Sequence, residues 1–299
     1  MKKVMKIVVV LMMVGLPLIF WKELKGAFSA TGKDKIEKRN SNTDDKNHPV
    51  ASVTVLDRWQ LPAILTEVSG IEYLGEGRFA CIQDEMGTIF IYNTASGKIE
   101  KQISFAGAGD YEGIAVAGNT AYVVQSDGRV YEVRDYQSEK PAVKQYTTPL
   151  TAKHNVEGLT YDEKNNRLLL AIKGAEPNNN DYKGVYAFDV KSYQMEATPV
   201  VKINLSDPIF NGIQEKKRKN ILQPSEIEVH PQTNDIYILE GANPKLLVMD
   251  AKGNKKKLYE MQKTEFPQPE GLAFSPQGEI FISNEGNGGT ATILKVAFE

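Results

Sequence analysis

The chain has 299 residues, of which 41% are hydrophobic and 25% charged, and its formal net charge is −2 at pH 7. This is the composition of an ordinary globular protein, and the near-neutral charge excludes a nucleic-acid binder, which needs a basic face to neutralise phosphates. The single cysteine, Cys81, excludes an internal disulfide, so the core must hold without covalent cross-links.

In chain order, the first element is apolar. Lys2, Lys3 and Lys6 precede a run from Ile7 to Trp21 that carries no charge. A basic start followed by such a run is a secretory signal or a short membrane anchor. The best small-residue cleavage site, Phe28-Ser29-Ala30, has a bulky residue at its first position, and the lysines after Trp21 suit an uncleaved anchor equally well. Residues 1–30 are therefore expected to export the chain and either leave it or hold it at the membrane. Residues 31–50 are charged and without apolar periodicity, as in a flexible tether.

From residue 51 a pattern repeats five times. EVSGIEYLGEGRFACIQDEMGTIFIYN (67–93) and DYEGIAVAGNTAYVVQSDGRVYEVRDY (110–136) are the first two copies. The third runs over 154–190, the fourth over 223–250 and the fifth over 268–296. Aligned on Ser69, Glu112, Glu157, Ser225 and Glu270, the spacings are 43, 45, 68 and 45 residues. Each copy reads as three short alternating strands separated by polar turns, and Ile99–Phe105, Ala142–Tyr146, Thr198–Leu205 and Lys256–Met261 are candidate fourth strands. A period in the low forties built from four strands is that of a β-propeller blade. The expected fold is all-β: a single propeller over 51–299, with five blades, or six if the 68-residue spacing hides another. Within that spacing, residues 207–220 read as a short helix and a charged loop carrying Lys216, Lys217, Arg218 and Lys219. The fifth copy lacks a fourth strand, and Ser52–Leu61 is a strand without a blade. It is expected to close the ring and cover the open sheet edge.

In such a ring the first strands line a central channel. The loops entering them share one face with the loops between second and third strands. The entering loops carry Ser69, Glu112, Glu157, Ser225, Glu226 and Glu270, with Asp110 and Asn155 nearby. The other loops carry Asp84, Glu85, Asp127, Glu240 and Glu285, with Gln83, Gln125 and Asn284. These are expected to form an acidic mouth. Clustered carboxylates repel unless a cation or proton compensates, which points either to a hard cation such as Ca²⁺ or to glutamates latched onto the backbone of the next blade. Lys173 and His154 are candidate internal counter-charges. No histidine pair has metal-ligand spacing and G-x-S-x-G is absent.

DYEGIAV, NVEGLTY, QPSEIEV and QPEGLAFSPQGEIFISNE resemble the SdiA-regulated domain family, over roughly residues 50–298. The resemblance implies an exported or membrane-anchored β-propeller, related to gluconolactonase-like and phytase-like propellers. It places a Ca²⁺-type site at Glu112, Glu157 and Glu270, where the motif letter matches; Ser69 and Ser225 depart from an all-acidic ring. The leading expectation is a monomeric binding module that recognises an envelope protein, peptide or glycan at its channel mouth. The alternative is a Ca²⁺-dependent hydrolase of phosphoesters or lactones.

Overall fold

A computed structural model of the chain describes residues 53–299 except Asn178. The expected signal or anchor over 1–30 and the tether over 31–50 lie outside the described residues. Among the described residues, no helix is long and apolar enough to cross a membrane.

Five antiparallel sheets follow one another along the chain. After the solitary strand β1 (Val53–Gln60), blade 1 is β2 (Val68–Gly75), β3 (Arg78–Gln83), β4 (Met86–Asn93) and β5 (Lys98–Ala108). Blade 2 is β6 (Tyr111–Ala117), β7 (Thr120–Gln125), β8 (Val130–Arg134) and β9 (Ala142–Tyr146). Blade 3 is β10 (Val156–Asp162), β11 (Arg167–Ile172) and β12 (Tyr182–Asp189), with an outer strand split into β13 (Gln194–Met195) and β14 (Val201–Asn204). Blade 4 is β15 (Pro224–Val229), β16 (Ile236–Glu240), β17 (Lys245–Met249) and β18 (Lys255–Glu260). Blade 5 is β19 (Pro269–Phe274), β20 (Ile280–Asn284) and β21 (Thr292–Phe298). Its outer strand is β1, paired antiparallel to β21 from Val53↔Phe298 to Gln60↔Thr292. The ring is a five-bladed propeller closed by its first strand, as the unassigned segment predicts.

The 68-residue spacing holds no sixth blade. Its extra residues make the long β11–β12 connection, the split outer strand and the insertion between blades 3 and 4. The helix expected within 207–220 is two single 3₁₀ turns, Pro208–Phe210 and Arg218–Asn220, joined by irregular chain. Gly212 at φ 101° interrupts any longer helix, and buried Phe210 pins the segment to the core.

The blades are hydrophobic on both faces because each packs against two neighbours. In β3, Phe79 and Cys81 join the cluster shared with blade 5, while Ala80 and Ile82 join that shared with blade 2. Five such clusters fill the five interfaces. Cys81 is a fully buried member of one of them, as expected of a structural thiol. Each first hairpin reverses through a left-handed residue, including Asn166 (φ 50°) and Asn234 (φ 59°), which is the turn chemistry legible in the sequence.

One irregularity recurs in every blade. The register between first and second strand slips at 68/70, 111/113, 156/158, 224/226 and 269/271. Ser69, Glu112, Glu157, Ser225 and Glu270 are thus the extra residue of a β-bulge, which re-aims a side chain out of the alternation. The glycines that follow allow neighbouring first strands to touch. A Cβ on Gly158 would lie 2.6 Å from the Ile227 nitrogen and 2.8 Å from the Glu226 carbonyl carbon, both backbone atoms of blade 4. On Gly70 the nearest atom would be 3.2 Å away. Gly158→Ala is therefore expected to lower stability by about 1–3 kcal/mol, read from the denaturant midpoint, with Gly70→Ala losing less. Equal losses would count against close blade packing as the cause.

Candidate functional site

Three of the five bulges carry glutamate, and these converge at the channel mouth. Glu157, at the start of β10, accepts from Lys173 Nζ at 2.8 Å and from Asn155 Nδ2 at 2.5 Å. Lys173 leaves the end of β11, where its backbone N–H is tied to the Asn155 carbonyl. Burial alone would pull its ammonium down, but Glu157, Glu270 and Glu112 hold it above the ordinary lysine range. The Glu112 carboxyl accepts no hydrogen bond among the described residues. Burial, then Glu157 and Asp110, push it up to about 9. Glu270 is raised to about 8 by burial and by Glu157 and Glu285, with Lys173 opposing. Burial raises Glu157 as well, although Lys173 works against it.

The acidic region extends toward blade 1. Glu285 is lifted to about 7 by burial, Asp84 and Glu67, and accepts from Gln268 Nε2. Burial, Glu67, Glu85 and Asp110 raise Asp84, whose Oδ1 is buried without a partner. Glu85 stands exposed beside it, and Ser126 Oγ donates to Asp110. The structure thus brings together Asp84, Glu85, Glu112, Glu157, Glu270 and Glu285 from the sequence-derived set, with Lys173 as the cation among them.

The other residues of that set do different work. Ser69 Oγ donates to the Tyr111 carbonyl at 2.7 Å, and Ser225 Oγ to the Pro269 carbonyl at 2.9 Å. Where serine replaces glutamate, the bulge residue latches its blade to the next one. Asp127 is taken by Arg129 at 2.7 Å, within its own hairpin loop. Glu240 is fully buried, with Lys245 Nζ 2.7 Å from its Oε2. His154 makes no ion pair among the described residues; its Nδ1 lies 3.0 Å from the Thr151 N–H and its ring stands edge-on to Tyr186.

Glu226 belongs to a second cluster further along the channel. It stands where the other four blades have glycine, and its Oε1 accepts from Leu159 N and Ile227 N at 2.8 and 2.9 Å. Burial raises it well above the usual carboxylate range, with Glu228 and Glu72 adding to the shift. Glu228 accepts from Thr160 Oγ1 at 2.6 Å and is pushed up to about 7 by burial. Sequence reasoning missed Glu72 and Glu228, which lie three residues after the bulge in two blades. Their signal was a glutamate at a position filled elsewhere by Ala115, Thr160 and Ala273.

The carboxylates do not make a ready metal cage. Among the described residues, no group of three or more His, Cys, Asp or Glu is placed to hold a metal ion. At the mouth the Lys173 ammonium is bound to Glu157 and lies near enough to Glu270 and Glu112 for their charges to act on it.

Against known proteins, the profile of the SdiA-regulated family matches residues 52–288. No curated protein matches the chain. Among solved structures it is similar to the glutaminyl cyclase of Myxococcus xanthus, at 13% identity and a TM-score of 0.56 over 83% of this chain and 97% of that one. It is also similar to the PQQ-bound aldose sugar dehydrogenase of Streptomyces coelicolor, at 14% identity and a TM-score of 0.50 over 83% and 98% of the two chains. At such identities the likeness is one of fold.

Proposed function

The chain belongs to the SdiA-regulated family, and from that premise and its channel mouth we propose a binding module that takes a cationic group of its ligand among the mouth carboxylates. The observation that carries this is the charge imbalance: Asp84, Asp110, Glu112, Glu157, Glu270 and Glu285 share one ammonium, Lys173. Carboxylates forced together and half-dried are driven to hold protons. A lysine, arginine or free N-terminus from a peptide or protein partner would supply the missing charge with directed hydrogen bonds. The basic start and apolar run of residues 2–21 support placing the module on the outer side of the cytoplasmic membrane.

A lysine-rich peptide titrated against the full chain tests this. It should bind in a salt-sensitive manner, and Glu112→Gln with Glu270→Gln should weaken binding at least about tenfold while circular dichroism stays unchanged. Glu285→Gln, at a half-buried position, is the milder companion should the double variant unfold. Retained affinity in both variants would rule the reading out.

A second reading, a Ca²⁺-assisted hydrolase of phosphoesters or lactones, draws support from Lys183 and Lys219, which line an adjoining pocket with Lys173. It requires the ion to displace Lys173 from Glu157. A melting temperature raised by calcium, in a chain indifferent to the peptide, would favour it.

A further inference from the structure

Beside the acidic mouth is a cavity of opposite character. It measures about 190 Å³ and is lined by Asn155, Lys173, Lys183, Lys219, Asn220 and Gln223, together with Gly174. Every side chain in that lining brings an N–H donor, and no carboxylate lines it. The contrast is sharp, because Lys173 and Asn155 both reach Glu157 on the mouth side.

The walls are built rather than incidental. Lys183 lies on β12 and is 1% exposed, a rare position for a lysine. Its ammonium donates to the Lys173 and Gly174 carbonyls, and an ammonium has three donors. The Gly174 N–H is held by the His154 carbonyl at 2.8 Å, so the loop that supplies those carbonyls is fixed. Across the cavity, the 3₁₀ turn Arg218–Asn220 makes an exposed ion pair with blade 3, Arg218 Nη1 to Asp181 Oδ1 at 2.9 Å. The same turn places Lys219 in the cavity lining. The Lys219 ammonium and the side-chain amides of Asn220 and Gln223 make no hydrogen bond among the described residues.

We propose that this cavity is a subsite for an oxyanion, a phosphate or carboxylate group, held by Lys183 and Lys219 and by the amides of Asn220 and Gln223. The site is chemically independent of cation capture at the mouth, although the two adjoin through Lys173. It gives the insertion between blades 3 and 4 a task, since that insertion carries Lys219, Asn220 and Gln223 to the channel. Burial pulls the Lys183 ammonium down to about 8; the charges of Lys219 and Lys173 push the same way, and the nearby carboxylates of Glu240 and Glu176 oppose them. An anion seated among the three lysines would offset the repulsion between their charges.

The experiment is a calorimetric titration of the full chain with inorganic phosphate and, separately, with acetate. Saturable binding of at least one is expected. Lys219→Ala changes an exposed side chain, and it should weaken that binding about tenfold through loss of one charge-assisted contact. Gln223→Ala should weaken it less. Lys219→Ala should bind the lysine-rich peptide as the parent does, which separates this subsite from the cation site. Phosphate bound in preference to acetate would assign the subsite to phosphoryl groups, and equal binding would assign it to carboxylates as well. Absence of saturation with either anion, or an unchanged affinity in Lys219→Ala, overturns the proposal.

Discussion

Glu112→Gln is expected to melt about 4–8 °C above the parent protein at pH 9 and level with it near pH 4, a gain of about 2 kcal/mol at the alkaline end. The direction follows from proton counting. Unfolded, Glu112 titrates near the ordinary glutamate value of 4.5; folded, burial and then Glu157 raise it to about 9. Between those values the folded protein holds a proton that the unfolded chain releases, so stability falls as pH rises through the window. Glu270, raised to about 8, and Glu285, raised to about 7, add to the same slope. Glutamine keeps the shape and removes the titration. Thermal melts from pH 4 to pH 9 read the result directly. A variant that tracks the parent at every pH would show that the mouth carries no electrostatic strain, and the case for a cationic ligand would lose its main support. Stability surrendered at one cluster of residues is what a binding surface shows before its ligand arrives.

Lys245→Met should destabilise the fold by about 3–5 kcal/mol, the largest single-residue loss anticipated here. Lys245 and Glu240 are 4% and 0% exposed, stand opposite each other at the β16–β17 hairpin, and lie 2.7 Å apart. Glu240 Oε2 also accepts the Gln223 N–H at 3.0 Å. Removal of the lysine leaves a carboxylate sealed away from both water and counter-charge. Urea unfolding measures the loss. Glu240→Leu added to Lys245→Met should recover most of it, because two apolar side chains of similar volume replace a pair whose desolvation nearly cancels its attraction. Failure of the double variant to recover would mean that the pair organises the hairpin through more than its charges.

The ring was legible in the sequence because its signals are local and repeated. Alternating strands and tight polar turns recur at each blade, the EG-hydrophobic motif at three of the five, and β1 could be assigned because it had no other partner. The site was legible only in outline. Asp127 and Glu240 have the same chemistry as Glu112, yet each is neutralised by a basic residue in its own hairpin, Arg129 and Lys245. Hairpin register would have revealed the Glu240–Lys245 pair, and adjacency within the β7–β8 loop the Asp127–Arg129 pair. The bulge was hidden because it is a property of two strands in register, and a single strand read by alternation shows nothing. Lys183 was overlooked as one polar letter in YKGVYAFDV, although a lysine inside a buried strand is itself a signal. The split outer strand of blade 3 had no counterpart in the pattern, and the insertion's apparent helix dissolved into turns once Phe210 was drawn into the core.

The pairing of β1 with β21 sets an order of events during synthesis. The strand that completes blade 5 is the earliest of the described strands to leave the ribosome, and its partner is the latest. Blades 1 to 4 form from neighbouring segments and can assemble as they emerge, whereas β1 must wait unpaired until all of them have been made. During that interval β1 offers an unsatisfied edge to any passing chain. A transcript cut short before Thr292 would yield not a slightly smaller propeller but an open arc whose two ends, β1 and β20, have lost the strand that joins them. Loss of the final strand is therefore expected to be as damaging to soluble yield as loss of an entire blade.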